Sequence, residues 1–378
     1  MRTRILMLGL LVVFLFSAVA LAAPSIKIGG LFDLTGKAQN IGVATKDVAQ
    51  MVVDQINKSG GVGGRQLQLV IADTQSEPSQ AVIALKRLVS RDKVVAVIGP
   101  TTTGAAMACL KTVEEAGIPM VATVGGDAPV TPAREWVFKT PQRTTTAVQC
   151  LYGYLRAHKL TSVGLLGASD KFGQEGEAVL KSLAPKYGIR IVAQESFDPN
   201  DQDMTVQLAK VAGKKPQAIV VWTIGPAGAI IAKNARSARV KTPLFQCHGQ
   251  PDANYLKLAG AAANGTTMPA TKLMVADQLP ASDRQRAGEI AFVKTFRARH
   301  IGEIGTHSGY AWDAIQLIAQ ALKKSGANPS TLRTAIENTH GYVGVSGIYN
   351  MTARDHCGLG VDSLVMVTVK NGKWLLAK

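Results

Sequence analysis

The sequence is poor in aromatic side chains and in cysteine, and beyond residue 22 it lacks long apolar runs. Aromatic residues make up 5% of the 378 residues, and the cysteines, Cys109, Cys150, Cys247 and Cys357, have neither CxxC nor any other metal-ligand spacing. A zinc site is therefore not expected. The four thiols allow three complete disulfide pairings, and the spacing does not choose between bridges and buried free thiols.

Motifs of common enzymes are also missing. The chain contains no GxSxG, HExxH or GxxxxGK[ST] pattern, and no GxGxxG follows the first predicted strand. The six histidines are dispersed, with no pair at i, i+4. These absences predict a protein that is not an enzyme and that uses no metal or cofactor. An enzyme is the third interpretation, because scattered residues can converge in space.

The longest apolar run lies at the N-terminus. Arg2 and Arg4 precede an apolar stretch over residues 5–16, and the segment ends in Ala-Leu-Ala at residues 20–22. This is the pattern of a signal peptide, so we predict export to the periplasm with cleavage after Ala22. A membrane anchor is the competing interpretation, but the stretch has no basic stop-transfer flank.

Acidic side chains are scarce relative to basic ones. The formal net charge is +16, from 42 Lys and Arg against 26 Asp and Glu, and removal of Arg2 and Arg4 leaves 40 basic side chains and +14. The basic residues are scattered, with no run longer than two, so no nucleic-acid partner is predicted. A solvated basic surface is the first interpretation. Attraction of an anionic ligand or a membrane partner is the other.

Short apolar runs alternate with amphipathic stretches of helical length, which predicts βαβ units and α/β lobes with parallel sheets. The chain exceeds the size at which one core stops growing, about 250 to 300 residues, so two lobes are expected. We predict strands at 26–32, 67–73, 94–98, 120–123, 162–166, 189–195, 218–222, 244–247, 348–351, 364–369 and 374–376. We predict helices at 43–58, 78–91, 104–116, 143–158, 171–186, 203–213, 226–238, 283–300, 307–324 and 329–338.

The last third of the chain contains successive helices and then strands, which predicts a return to the first lobe followed by another crossing. Three hinge segments are expected, near residues 141–145, 269–273 and 342–347. The predicted organisation is a signal peptide (1–22), an N-terminal lobe (23–143 plus 272–345) and a C-terminal lobe (144–271 plus 346–378).

Polar or glycine-rich loops follow three of the first-lobe strands. They are Thr35-Gly36, the segment 100–104 (Pro-Thr-Thr-Thr-Gly) and the segment 125–127 (Gly-Gly-Asp). In open parallel sheets the carboxyl ends of the strands face the ligand crevice. Loops that lead into helix N-termini there favour an anion.

Several stretches match one family in its own order along essentially the whole mature chain. The chain resembles the periplasmic solute-binding proteins of branched-chain amino-acid ABC transporters, which have the type I binding-protein fold. The matching stretches are residues 28–36 (IGGLFDLTG), 56–65 (INKSGGVGGR), 72–78 (ADTQSEP), 97–100 (VIGP), 116–119 (AGIP), 170–173 (DKFG), 310–314 (YAWDA) and 355–358 (DHCG). The resemblance implies two Rossmann-like lobes, joined by three hinge segments, with ligand in the cleft.

The resemblance also implies which residues hold the ligand. Its carboxylate would be bound by the hydroxyl of Thr103 and by backbone N–H groups behind it, at Gly104 and in the loop Val124, Gly125 and Gly126. An aromatic side chain that covers the ligand falls at Phe172, and positions that contact its apolar body fall at or beside Ile41, Trp222 and Ile224. For Thr103 the alternative is a helix N-cap, and for Phe172 it is ordinary packing.

Two positions depart from the family pattern. Amino-acid binders place Ser or Thr where this chain has Gly126, and an acid that holds the ligand ammonium where it has His248. His248 could donate a hydrogen bond or, as imidazolium, pair with an anion, and its alternative is a hinge-proximal histidine satisfied by backbone. Asp127 and Asp252 are the nearest acids that could replace the missing one.

The resemblance implies the extracytoplasmic binding subunit of an ABC importer, and the two departures with the apolar positions favour a small carboxylate of apolar or aromatic body as its ligand. The alternatives are a binding protein for branched-chain or other hydrophobic amino acids, or an exported ligand sensor without a transport role. The expected partners are the small molecule and a membrane permease, and a monomer is expected.

Overall fold

The computed structural model describes residues 24–299, 302 and 304–377, and the predicted signal peptide lies outside the described residues. The strands are β1 (Ile26–Phe32), β2 (Leu67–Asp73), β3 (Ala96–Ile98), β4 (Met120–Ala122), β5 (Val137–Lys139), β6 (Ser162–Ala168), β7 (Arg190–Phe197), β8 (Ala218–Trp222), β9 (Leu244–Gln246), β10 (Thr267–Thr271), β11 (His340–Val343), β12 (Ile348–Asn350), β13 (Leu364–Lys370) and β14 (Lys373–Leu376). The helices are α1 (Gln39–Lys58), α2 (Pro78–Ser90), α3 (Thr103–Ala116), α4 (Thr144–Ala157), α5 (Lys171–Tyr187), α6 (Thr205–Gly213), α7 (Pro226–Ser237), α8 (Ala253–Ala259), α9 (Arg286–Ala298), α10 (Thr306–Ser325) and α11 (Pro329–Glu337).

The first sheet has five parallel strands in the order β2-β1-β3-β4-β5. Alternate residues of β1 enter different cores: Ile28 and Phe32 pack with α1, α10 and α11, whereas Leu31 packs with α2 and α3. Helices therefore cover both faces, which is why the strands are apolar on both sides.

The second sheet has seven strands in the order β14-β13-β10-β9-β8-β6-β7. Its strands from β7 to β10 are parallel, and β13 and β14 extend the sheet antiparallel beyond β10. Val163 and Val220 pack against α4 and α5 on one face, and Leu166 and Val221 pack against α6, α7 and α8 on the other. The predicted α/β class with two helix-covered, largely parallel sheets is confirmed.

Within the described residues the chain crosses between the two lobes three times. The first crossing lies between β5 and α4, at residues 140–143, and the second follows β10. The third differs from the segment predicted at 342–347. Residues 348–359 pack in the core of the first sheet through Tyr349, Met351, Cys357 and Leu359, because β12 pairs with β11 there. The last crossing therefore falls between Leu359 and β13. The boundary predicted at residues 345/346 lies too early in the chain, because β12 and the segment up to Leu359 still belong to the first lobe.

The four cysteines are free thiols, and Cys109, Cys247 and Cys357 are buried. Burial raises the pKa of Cys247 to about 12, so it is a thiol and not a thiolate at neutral pH. In the part of the chain that the structure describes, none of the helices combines the length and the hydrophobicity of a membrane span.

Candidate functional site

A cavity of about 500 Å³ lies between the two lobes, where the carboxyl ends of both sheets face each other. The first lobe contributes Lys37, Ala38, Ile41, Ser76, Pro78, Thr102, Thr103 and Gly104. The second lobe contributes Ser169, Asp170, Lys171, Phe172, Gln174, Pro199, Asn200, Gln202, Ile224, Gly225, Pro226 and Ile230. Thr103, Gly104, Ile41, Phe172 and Ile224 of the residues implied by the family resemblance thus line one cavity.

Five helices, α1, α2, α3, α5 and α7, begin at this cavity. Only α5 is capped by a side chain, because Asp170 accepts a hydrogen bond from N of Gly173 at 2.8 Å, and none of the five has an acid in its first turn. The charged side chains that line the cavity are Lys37, Lys171 and Asp170. Free backbone N–H groups, helix dipoles and two cations together favour an anion.

Thr103 is the first residue of α3, and its N-cap is Thr102. The alternative prediction, in which Thr103 caps the helix, is therefore wrong. The Thr103 side chain is buried, and Oγ1 accepts a hydrogen bond from N of Gly126 at 3.3 Å. Its O–H remains able to donate to an acceptor in the cavity that Thr103 lines.

Gly126 has no room for a side chain. A Cβ built there would lie 2.6 Å from both Oγ1 and Cγ2 of Thr103, and 3.0 Å from Oε2 of Glu175. Gly126 therefore packs directly against the Thr103 side chain in the loop that follows β4.

Gly125 brings the two lobes into contact. A Cβ at this position would lie 2.7 Å from Cε2 of Phe172 and 3.4 Å from Nε2 of His248, both second-lobe residues. Val124, Gly125, Gly126 and His248 do not line the cavity. Gly125 and Gly126 form a closed seam beside it with Phe172, His248 and Glu175, and Val124 packs in the first lobe with Ala106 and Ala122. Phe172 belongs to the seam and also lines the cavity. Its ring packs in the second-lobe core with Trp222, at a ring distance of 5.9 Å.

His248 is buried and has a fractional exposure of 1%. Neither ring nitrogen has a hydrogen-bond partner among the described residues. Burial, with the nearby Lys139 ammonium as a second cause, lowers the pKa of His248 to about 3. The imidazole is thus neutral at physiological pH, and the imidazolium considered from the sequence does not form in this arrangement.

Lys139 is a site residue that the sequence analysis missed. Its side chain is completely buried, and Nζ donates to the carbonyl oxygens of Gly125 and Gly126 at 2.9 Å and to Oδ1 of Asp127 at 3.1 Å. A fourth acceptor is the carbonyl of Gln142, at 3.1 Å. The only sequence signal was a lysine at the end of an apolar strand.

The two acids suggested as partners for a ligand ammonium are both engaged elsewhere. Asp127 is paired with Lys139 and also accepts from N of Thr144 at 2.9 Å. Asp252 accepts from N of Tyr255 at 2.6 Å, as the N-cap of α8, and burial raises its pKa to about 6. Neither residue lines the 500 Å³ cavity.

A second cavity, of about 590 Å³, adjoins the first at Ile41. It is lined by the first turns of α1 together with Asp252, Lys257 and His307. Burial lowers the pKa of His307 to about 4, and its Nε2 lies 3.3 Å from the carbonyl oxygen of Gly249. The lining of this cavity mixes Ile41, Val43 and Ala44 with charged and polar side chains, whereas the first cavity has the bulkier apolar side chains Phe172, Ile224 and Ile230.

Sequence comparison connects this architecture with known proteins. The sequence profile of a family described as periplasmic binding protein matches residues 25–373. The leucine-, isoleucine-, valine-, threonine- and alanine-binding protein of Pseudomonas aeruginosa is 25% identical over 325 residues, which cover 85% of this chain and 84% of that protein. The Leu/Ile/Val-binding protein BraC3 of Rhizobium johnstonii is 26% identical over 310 residues, 81% of each chain.

Solved structures share the fold. The substrate-binding protein LivJ of a branched-chain amino acid transporter from Streptococcus pneumoniae, in complex with isoleucine, has a TM-score of 0.82 at 28% identity and covers 94% of this chain and 99% of its own. A solute-binding protein of an ABC transporter from Rhodopseudomonas palustris, in complex with benzoate, has a TM-score of 0.81 at 22% identity and covers 93% and 95%.

Proposed function

Because the chain belongs to the periplasmic binding protein family, a family of solute-binding proteins, we propose that it is the extracytoplasmic binding subunit of an ABC importer. In this proposal its signal peptide is removed after residue 22, and the mature monomer works in the periplasm. It closes its two lobes around a small carboxylate with an apolar or aromatic body and delivers it to a membrane permease.

The observation that carries the choice of ligand is the convergence of five helix N-termini on one cavity, four of them without a side-chain cap. A carboxylate placed there satisfies free N–H groups and gains from the helix dipoles, by about 0.3 to 1 kcal/mol for each helix end in exposed settings and more when partly buried. The Thr103 hydroxyl adds a donor on the same side.

The remaining cavity wall fits an apolar ligand body. Ile41 and Phe172 are buried, and Ile224 and Ile230 are half-buried beside them. A cleft with an apolar wall and a few convergent polar groups is the usual form of a small-molecule site. A ligand with its carboxylate at α3 and its body against this wall would use both features.

An amino acid is the second candidate, and the relatives favour it. The Pseudomonas and Rhizobium proteins are named as amino-acid binders, and LivJ holds isoleucine. Against it stands the position of the acids: Asp127 is paired with Lys139, Asp252 lines the adjoining cavity, and Asp170, which lines this one, already accepts from N of Gly173 as the N-cap of α5. A buried ammonium without an acceptor pair would cost several kcal/mol. The fold alone does not decide, since it accommodates isoleucine in one neighbour and benzoate in another.

The test compares carboxylates with and without the α-ammonium. We expect phenylpyruvate or phenylpropionate to bind more tightly than phenylalanine, and 4-methyl-2-oxopentanoate more tightly than leucine, by calorimetry at one pH and one salt concentration. If the amino acid binds at least tenfold more tightly in both pairs, about 1.4 kcal/mol, the carboxylate proposal fails and the amino-acid function stands.

A further inference from the structure

Glu175 connects the lobes beside the ligand cavity. It lies on α5 of the second lobe, and its carboxylate reaches the loop that follows β4 of the first lobe. Oε1 accepts a hydrogen bond from N of Asp127 at 2.6 Å, and Oε2 accepts one from N of Ala128 at 3.0 Å. Oε1 also accepts from Oγ1 of Thr144, the first residue of α4, at 2.6 Å.

The loop that Glu175 holds is the one that forms the seam. Gly125 and Gly126 directly precede Asp127, and their carbonyl oxygens are bound by Lys139. Asp127 makes no side-chain cap to the short 3-10 helix that it precedes, and its carboxylate instead binds Lys139 and N of Thr144. The acceptor for the loop's own N–H groups therefore comes from the opposite lobe.

Opening of the cleft would affect the three contacts differently. The contacts with Asp127 and Ala128 join different lobes, so separation of the lobes breaks them. The contact with Thr144 joins two helices that pack in the same second-lobe core, so it survives. Hydrogen bonds that a carboxylate accepts are roughly twice as strong as neutral ones. The Glu175 carboxylate thus stabilises the closed arrangement of the lobes relative to the open one.

We propose that Glu175 is a positioning residue that latches the lobes in their closed arrangement. It makes this contribution without touching the ligand, so it strengthens the binding of every ligand by the same factor and does not select among ligands. The proposal depends on the proposed function only for the statement that the lobes close on a ligand.

The experiment uses Glu175→Gln and Glu175→Ala in the full mature protein. The matched control is Glu177→Gln, since Glu177 lies two residues further along the same helix and accepts from Nε2 of Gln194, within the second lobe, at 2.7 Å. Phenylpyruvate and phenylalanine serve as probes in stopped-flow and calorimetric titrations. Small-angle scattering of the ligand-free proteins reports the radius of gyration.

For both Glu175 variants we expect Kd to rise by about tenfold or more for whichever probe binds, mainly through faster dissociation. The ratio of the two Kd values should stay unchanged, and the ligand-free radius of gyration should increase. Glu177→Gln should leave all three quantities at the wild-type values. Thermal unfolding of each variant confirms that it is folded before the comparison.

Unchanged dissociation rates together with an unchanged radius of gyration would overturn the latch, because the contacts would then persist when the cleft opens. Weakening of only one probe would overturn it as well, since Glu175 would then act on the ligand itself. Failure of the carboxylate proposal looks different: phenylalanine would bind more tightly in the wild type, while the uniform effect of Glu175 would remain. If neither probe binds, the ligand-free scattering decides.

Discussion

The contact of Gly125 with Phe172 predicts that Gly125→Ala hinders closure of the cleft. Gly125 has no positive φ, so alanine fits its backbone conformation without strain. The added Cβ would lie 2.7 Å from Cε2 and 3.3 Å from Cζ of the Phe172 ring. Because the two residues belong to different lobes, this overlap exists only when the lobes are closed, and the open form should tolerate the substitution.

The magnitude follows from the cost of adding a methyl group to a packed contact. Overpacking costs about 1 to 3 kcal/mol, which corresponds to a rise in Kd of roughly 5- to 150-fold. The ring of Phe172 is held by Trp222 and His248 at ring distances of 5.9 Å, so it cannot turn away without disturbing the core behind it. We therefore expect the upper part of this range.

Calorimetry and scattering on Gly125→Ala would check this expectation. Kd should rise, and the ligand-free radius of gyration should increase, while the unfolding midpoint without ligand should change little. Gly153→Ala is the control, because Gly153 lies within α4 with no atom within 4 Å of its Cβ position. Binding within twofold of wild type would refute the reasoning, since the seam would then be free to rearrange around a methyl group.

Two further predictions concern Thr103 and Glu289. Thr103→Ala should weaken carboxylate binding by about 1.5 to 3 kcal/mol, the value of a hydrogen bond to a charged group, and full affinity in calorimetry would make the hydroxyl structural only. Burial, with Asp283 as a second cause, raises the pKa of the Glu289 carboxyl from 4.5 to about 8. The folded state therefore holds a proton that the unfolded state releases, so the associated stability is complete below pH 4.5 and is lost as pH rises to about 8. Glu289→Gln removes this loss, and in urea unfolding its advantage should grow between pH 5 and 9, to at most roughly 4 to 5 kcal/mol. An advantage that does not vary with pH would contradict the assignment.

Elements with strong apolar periodicity could be predicted from the sequence, and those set by their neighbours could not. The strand predicted at 26–32 has the bounds of β1, and the helix predicted at 171–186 ends one residue before α5 does. β10 is absent from the predicted strands because its five residues, Thr-Met-Pro-Ala-Thr, include a proline and an alanine, which are depleted in strands. It is a strand because β9 and β13 lie on either side of it.

The candidate site divides in the same way. Thr103 could be placed near a crevice because it follows a strand end, and Ile41 because the family resemblance puts a ligand contact at or beside it; both line the cavity. The role of Glu175 depends on contacts across the cleft, with Glu175 and its backbone partners 47 and 48 residues apart in sequence. Lys139 binds acceptors only 3 to 14 residues away, but these are backbone carbonyls and one carboxylate that the folded loop brings together. No local pattern encodes either set of contacts, so these two residues become visible only in three dimensions. The unpartnered ring nitrogens of His248 likewise depend on its burial, which the sequence does not give.

The antiparallel pair at the end of the chain has a consequence for biosynthesis. β13 spans Leu364–Lys370 and β14 spans Lys373–Leu376, and together they cover the edge of β10 in the second sheet. Because Thr267 of β10 and its partner Thr368 of β13 lie 101 residues apart, a polypeptide that emerges with its N-terminus first exposes that edge until β13 has followed. Completion of the second sheet is therefore tied to the arrival of β13, and the backbone groups along one side of β10 stay unpaired until then.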